Sequence, residues 1–412
     1  MNRLCNVSRT EDMNATAEVL LVIECTRSRV SDESTPQIRK YVEDGVSWMA
    51  LIQFAIVHGV LPLVANTLKA TSADLLPRDV LLQFDRVLTR AEARNRRQWS
   101  ALTRVMQAFS DERVRLLAFK GTALTSLFYG DLRLRESHDI DLWAAPEDTA
   151  KAGEILRSIG YLPLPQCGHS WLRRSLAKMV YRSCMPVASM PSPLKQVEFI
   201  SADGDTAIDL QNIRSQLYFK PDFNGLWDRR SMAMGSALNV PTLSKADYLL
   251  TLAVHGAKHS WRRMNWIVDV DRLLTSSPDL DWDLISACAI HWRCQRRLCS
   301  TLAIRSRLYS TPLTHGDVAK YLTHWTTERV LTTLLRSNVT NPPLRTAETM
   351  IQDFLFHYHL IDRRRDRVNH AYLTLMRALS RRIRLASRTV AIGSRKIHIR
   401  YPRFLFQINI KI

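Results

Sequence analysis

The stretch that decides the fold is VRLLAFKGTALTSLFYGDLRLRESHDIDLW, residues 114–143. Its hydrophobic period changes along its length. Val114–Phe119 is a short, mostly apolar run that predicts a buried strand, and Gly121 opens a helical pattern that reaches about Tyr129. Residues 139–143 then predict a second strand. A strand, helix, strand order predicts a mixed or parallel sheet with helices packed on it.

The sheet is predicted to continue toward the C-terminus. A helix is expected over 147–159. Residues 196–201 and 206–211 are a hairpin candidate around the turn at 203–205. The segment 179–184 also has a strand-like composition. We therefore expect two further antiparallel strands beside the first pair.

Helical patterns flank this sheet on both sides. On the N-terminal side, two short helices are predicted from residue 48 to about residue 64, broken at His58-Gly59 and at Pro62, and a longer helix within 77–110. After Pro241 the patterns are helical, beginning at Ser244, whose hydroxyl can cap the first turn.

Length and composition define the fold class. A chain of 412 residues is too long for one ordinary core, and 46% of its residues are apolar, so each part can bury a core. Gly (13) and Pro (16) are scarce, which disfavours an all-β chain with many tight turns. We predict an α+β protein: a small mixed-sheet domain over 113–240, a helical N-terminal lead-in over 1–112 and an all-helical C-terminal region over 241–412.

The formal net charge of +19 is concentrated in a basic tail. Between residues 361 and 412, twelve Arg and two Lys stand against Asp362 and Asp366, an excess of twelve positive charges. Such a field favours polyanions: a nucleotide, RNA or an anionic membrane surface. For any single arginine, a solvated helical face is the simpler interpretation, so the charge alone does not choose among these partners.

Cysteine usage and hydropathy bear on location. Seven cysteines form an odd, scattered set without a C-x-x-C pair, which favours a reducing compartment over a disulfide scaffold. His291, Cys294 and Cys299 lack the paired spacing that zinc needs. No apolar run approaches the roughly eighteen residues of a membrane span, and the apolar run 17–23 is too short for a signal peptide. We therefore expect a cytoplasmic protein without a transmembrane segment.

Asp139 and Asp141 are the candidate catalytic and metal-binding pair. Residues two apart on a strand share a face, with α-carbons roughly 7 Å apart, so both carboxylates can reach one Mg²⁺ ion or two adjacent ions. Two ions about 3.5 to 4 Å apart can clamp the attacking and leaving oxygens of nucleotidyl transfer. Asp209 is the predicted third carboxylate, because an aspartate is disfavoured within a strand. Glu198, across the hairpin, is the alternative.

Lys120, Gly121, Thr122 and Arg135 are the candidate nucleotide-binding residues. The strand-to-helix junction at Gly121-Thr122 offers bare amides and the positive end of a helix to a triphosphate. Lys120 and Arg135 add positive charge for the phosphates. Each of these signals is commonplace alone, and an Asp-x-Asp pair is often a solvated strand edge. Their order within one sheet unit, with a strand aspartate after it, favours the metal site.

These residues resemble the uncharacterised bacterial nucleotidyltransferase family of the polymerase-β-like superfamily. The resemblance covers roughly residues 45–274. The matching positions are His58-Gly59-Val60-Leu61-Pro62-Leu63, Phe119-Lys120-Gly121, Tyr129, Arg135, Asp139-Ile140-Asp141-Leu142, Gly160-Tyr161, His255-Gly256-Ala257-Lys258-His259-Ser260-Trp261 and Asp269.

The resemblance implies Mg²⁺-dependent transfer of a nucleoside monophosphate, with two Mg²⁺ ions and an NTP donor, expected to be ATP. The acceptor hydroxyl would belong to a small molecule, a peptide or protein, or RNA, and pyrophosphate would be released. One position departs from the family: Gln211 stands where a histidine commonly follows the third acidic residue by two positions. This departure bears on the role predicted for Asp209.

His255 and His259 are four residues apart and share a helix face, with Lys258 on a neighbouring face. Two interpretations stay open for them. They are partly buried histidines that bond to backbone or to Asp269, or they contact the nucleotide or acceptor across a cleft. Trp266 lies in a helical pattern and is assigned to the core.

A different class of function remains open beside the enzyme. The chain could be a catalytically weak or inactive nucleotidyltransferase-like binding protein, either an antitoxin-like partner or a nucleic-acid binder that uses the basic tail.

Overall fold

The computed structural model describes residues 15–28, 34–164, 196–212, 219–233, 239–311, 324–335, 347–386, 391–392 and 395–396. The strand-like segment predicted at 179–184 lies outside these residues, and so does most of the basic tail beyond Ala386.

The N-terminal region is helical where the structure describes it. The break predicted at His58-Gly59 is present, but the one predicted at Pro62 is wrong, because proline is tolerated in the first turn of a helix and Pro62 lies there in the fourth helix. His58-Gly59 separates the third helix from the fourth, and the long fifth helix is continuous over 34 residues. The helices are α1 (Ala17–Thr26), α2 (Ser34–Glu43), α3 (Trp48–Val57), α4 (Leu61–Ser72) and α5 (Arg78–Asp111), with a 3₁₀ turn at Ala73–Leu75.

A mixed seven-stranded sheet follows, as predicted. Its elements are β1 (Leu116–Ala118), α6 (Gly121–Phe128), β2 (Ile140–Ala144), α7 (Thr149–Ser158), β3 (Tyr161–Pro163), β4 (Gln196–Ser201), β5 (Ala207–Asn212), α8 (Phe223–Asp228), β6 (Ser231–Ala233) and β7 (Val240–Thr242). The strand order is β3-β4-β5-β2-β1-β7-β6. The predicted hairpin is β4 with β5, and β5 also pairs with β2 in parallel.

The described part of the C-terminal region is helical, apart from two strands of two residues each. Its elements are α9 (Lys245–Lys258), α10 (Asn265–Ser276), α11 (Trp282–His291), α12 (Gln295–Tyr309), α13 (His324–Leu334), α14 (Ala347–His359), α15 (Arg364–Ala386), β8 (Ala391–Ile392) and β9 (Arg395–Lys396). Ser244 caps α9 as predicted, because its Oγ accepts a hydrogen bond from the Asp247 amide at 3.2 Å. Within the described residues, no helix combines the length and apolar character needed to cross a membrane.

Two hydrophobic cores hold these elements together, and α5 takes part in both. Phe84, in its first half, is buried in a core that the N-terminal and C-terminal helices share. Phe109, near its end, is buried between the sheet and α7. The flanking helical regions therefore pack on each other as well as on the sheet.

His58 joins the N-terminal helices to the turn before α10. Its Nδ1 accepts a hydrogen bond from the Met264 amide, and its backbone carbonyl accepts one from the Asn265 amide, both at 3.2 Å. Burial lowers the pKa of His58 to about 4, so the ring is neutral and Nδ1 is free to accept. Two segments far apart in sequence thus fix each other.

The turn between α9 and α10 depends on a glycine, Gly256, whose lack of a side chain makes room for Trp261. Ser260 and Trp261 have φ of 54° and 44°, a left-handed conformation that costs energy outside glycine. Trp261 is fully buried, and its indole lies where a Cβ on Gly256 would be. The glycine therefore provides the space that lets the chain fold back after α9.

We predict that Gly256→Ala destabilises the protein by about 1 to 3 kcal/mol, because the added methyl group overlaps the Trp261 indole. Urea unfolding measures the loss. Gly225→Ala in α8 is the matched control, since its methyl group meets only the ends of the Asp222 and Arg229 side chains. A Gly256→Ala protein as stable as the control would contradict this packing.

Candidate active site

The three predicted carboxylates lie on neighbouring parts of the sheet. Asp141 on β2 is in register with Asp209 on the parallel strand β5, so both side chains are on the same face. Both are buried, with 7% and 8% of their surface exposed. Asp139 lies just before β2 with its side chain exposed to solvent. Glu198, the alternative third carboxylate, is in register with Asp209 on β4.

The pKa values of Asp139 and Asp209 are raised, first by burial and then by the charge of Asp141. Burial first, and then the charge of Asp141, raise the pKa of Asp209 to about 7. The surrounding protein and Asp141 also raise the pKa of Asp139. The pKa of an aspartate rises when its charged form is desolvated and repelled by like charge, so the site resists a full set of negative charges.

Two side chains with N–H groups contact the carboxylates. Lys120 Nζ lies 3.2 Å from Asp141 Oδ1. The Gln211 amide donates to Asp209 Oδ2 at 2.8 Å and to Asp141 Oδ1 at 3.4 Å. Gln211, the position that departs from the family resemblance, therefore links the two strand aspartates.

Gly121 lets the start of α6 approach the segment before β2. Its φ is +57°, and a Cβ there would lie 2.8 Å from Ser137 Oγ and 2.9 Å from the Asp139 carbonyl oxygen. Ser137 Oγ also donates to that carbonyl at 3.0 Å. The predicted phosphate-binding turn and the carboxylate segment are thus in direct contact. Thr122, in contrast, is buried with 1% of its surface exposed and is not among the residues that line the cavity, so the structure does not bring this predicted residue to the site.

Arg135 has a different environment from the one that the sequence suggested. Its Nε and NH2 donate to the two carboxylate oxygens of Asp269 at 2.7 and 3.0 Å, and Tyr129 OH donates to the same carboxylate at 2.7 Å. The Asp269 side chain is only 1% exposed. The bidentate ion pair joins the loop before β2 to α10, so Arg135 is first a structural link between the sheet and the C-terminal helices.

Helices α9 and α10 form the opposite wall. His259 stacks on Trp266, with ring centroids 5.0 Å apart and planes at 28°, and the edge of His255 packs on Trp266 at 5.6 Å. Burial lowers the pKa of His255, and it lowers that of His259 to about 4, so both rings are neutral near pH 7. Burial and the nearby Lys120 also lower the pKa of Lys258.

These two walls enclose one cavity of about 300 Å³. This volume is at the lower end of the range for ligand pockets. Among the residues that line it are all three carboxylates and the predicted Lys120, Gly121, Arg135, His255, Lys258 and His259. Trp266 and Asn265 also line the cavity. Neither was predicted to do so: the helical pattern assigned Trp266 to the core, and no motif in the sequence pointed to Asn265. Ser137 and His138 could have been found, since they adjoin Asp139 in the sequence.

The donor set fits Mg²⁺ in kind, because carboxylate oxygens are the ligands that this ion prefers. Among the residues that the structure describes, no three His, Cys, Asp or Glu side chains form a ready-made metal cluster. Lys120 and Gln211 both contact Asp141 Oδ1, at 3.2 and 3.4 Å. These two N–H groups would therefore compete with an ion for that oxygen.

Comparison with known proteins adds the family. A family model described as an uncharacterised nucleotidyltransferase matches residues 44–310, which include every residue that lines the cavity. A search of curated proteins found no match.

We predict that Asp209→Asn stabilises the protein in EDTA at pH 8. A carboxyl whose folded pKa is raised costs no stability below its unfolded value near 4; the cost grows between about pH 4 and pH 7 and is fully present at pH 8. The unfolding midpoint in urea should exceed the wild-type midpoint at pH 8, and the difference should shrink toward pH 4. Asp205→Asn, in the exposed turn of the same hairpin, is the control. An Asp209→Asn protein that is less stable than the wild type at pH 8 would contradict the destabilising burial of the Asp209 charge beside Asp141.

Proposed function

The chain belongs to the uncharacterised nucleotidyltransferase family, and on that premise we propose that it is a Mg²⁺-dependent nucleotidyltransferase. It transfers a nucleoside monophosphate from an NTP, with ATP as the proposed donor, to an acceptor hydroxyl, and releases pyrophosphate. The observation that supports this most is the register of β2 with β5, which brings Asp141 and Asp209 together in one cavity with Asp139, Lys120 and Gly121.

Asp139 and Asp141 are the proposed ligands of two Mg²⁺ ions, and Asp209 completes the set. When bound, the ions would neutralise charge on the phosphates. Lys120 is the residue proposed to take up phosphate charge, because an ion at Asp141 would displace its ammonium group from that carboxylate. Lys258, on the opposite wall of the cavity, can hold the leaving pyrophosphate.

Asp209 is the proposed acceptor of the proton. The oxygen of the acceptor hydroxyl forms a bond to the α-phosphorus, and the bond between that phosphorus and the bridging oxygen of pyrophosphate breaks. The hydroxyl proton goes to a base near the attacking oxygen. The Asp209 carboxylate is the proposed base, because it lies in the cavity directly beside Asp141.

We predict that the double variant Asp139→Asn, Asp141→Asn loses Mg²⁺-dependent transfer by on the order of a thousandfold or more, because the ligands of the ions are removed. The measurement is transfer of label from an α-³²P NTP to acceptors in a cell lysate, with mass spectrometry of the labelled product. Asp203→Asn, Asp205→Asn, in the exposed turn at 203–205, is the matched control and should keep wild-type activity.

Unchanged label transfer by the double variant would rule out this assignment. The binding-protein alternative has its own signature: RNA binding that falls steeply with salt, persists in the double variant, and is lost when Arg364 and Arg365 are replaced by Gln. Both arginines are exposed at the start of α15.

A further inference from the structure

The wall opposite the carboxylates carries an aromatic cluster that the proposed chemistry does not use. Trp266 is flanked by the face of His259 and the edge of His255, with centroid distances of 5.0 and 5.6 Å. All three side chains line the cavity. Catalysis of phosphoryl transfer needs charge and oxygen ligands, which the carboxylates and lysines provide. A stacked aromatic wall needs another explanation.

Trp266 differs from the tryptophan that fills the core nearby. Trp261 is fully buried against the space at Gly256, whereas Trp266 is only partly buried and faces the cavity. His259 adds no positive charge near pH 7, because burial lowers its pKa to about 4. The three rings therefore present π faces beside the Lys258 ammonium group, and flat aromatic ligands stack on such surfaces.

The wall is held in place by the contacts of the turn that precedes α10. Met264 and Asn265 donate their amides to His58, and the left-handed residues Ser260 and Trp261 turn the chain back. The stacking residues thus belong to a packed part of the protein, and a ligand meets a surface that is already formed.

Asn265 brings an amide to the edge of the same wall. Among the described residues no donor reaches its Oδ1, which is buried. A buried acceptor without a donor costs about 1 to 3 kcal/mol, and a ligand N–H group would remove that cost. An asparagine amide can accept from the exocyclic amino group of adenine and donate to the ring nitrogen beside it.

We propose that Trp266, His259 and Asn265 form the nucleobase subsite: the base stacks on the aromatic wall, and Asn265 selects a base with an exocyclic amino group, of which adenine fits best. The subsite rests on the proposed function, since it places the base across the cavity from the carboxylates that are proposed to bind the metal ions.

Calorimetric titration of the full chain tests this subsite with three probes, each with Mg²⁺: the α,β-methylene analogues of ATP and UTP, which cannot react, and inorganic tripolyphosphate. Trp266→Ala should weaken binding of the ATP analogue about ten- to a hundredfold and leave tripolyphosphate unchanged. Asn265→Leu should reduce the preference for the ATP analogue over the UTP analogue. Trp227→Ala is the matched control, a partly buried tryptophan stacked on Phe223 outside the cavity.

His259→Leu and Trp266→Phe provide milder tests if Trp266→Ala does not fold, and both should lower affinity for the ATP analogue alone. Unchanged affinity for that analogue in folded variants would overturn the subsite. The aromatic wall would then be assigned to binding of the acceptor substrate. An equal loss for tripolyphosphate would overturn it too. If the wild-type chain binds none of the three probes, the proposed function fails, and the subsite fails with it.

Discussion

The rest of the site depends on one constraint, the parallel pairing of β2 with β5 that sets Asp141 directly beside Asp209. Strands in a sheet are about 4.8 Å apart, so two buried carboxylates at paired positions repel each other unless cations or N–H donors are near. In this structure Lys120 and Gln211 fill that need. We propose that the same repulsion favours a divalent cation at this site.

The helical regions form the second wall of the cavity, opposite the carboxylates on the central strands β2 and β5. Arg135 and Tyr129 hold Asp269 on α10, while His58 holds the turn before that helix. Neither contact involves Asp139, Asp141 or Asp209. Both contacts fix the distance between the acidic wall and the aromatic wall. The cavity therefore depends on the packing of α10 and its preceding turn against the sheet and the N-terminal helices.

The local order of elements could be predicted from the sequence, because each strand and helix carries its own hydrophobic period. The strand, helix, strand unit at 116–144 and the hairpin that carries Asp209 were predicted correctly for this reason. Contacts set by tertiary packing could not be predicted. Arg135 was assigned to phosphates, yet it pairs with a carboxylate 134 positions away. Trp266 has the spacing of a core residue, and only the turn at Ser260 and Trp261 directs it to the cavity.

The central claim is that the three aspartates form a cation site for a nucleotide. Titration of Mn²⁺ into the full chain, followed by electron paramagnetic resonance in the presence of α,β-methylene ATP, tests that claim most directly. The account predicts bound Mn²⁺ whose signal changes with the nucleotide and is lost when Asp139 and Asp141 are replaced by Asn. Mn²⁺ binding that is absent in the wild type, or that survives loss of both aspartates, would contradict it.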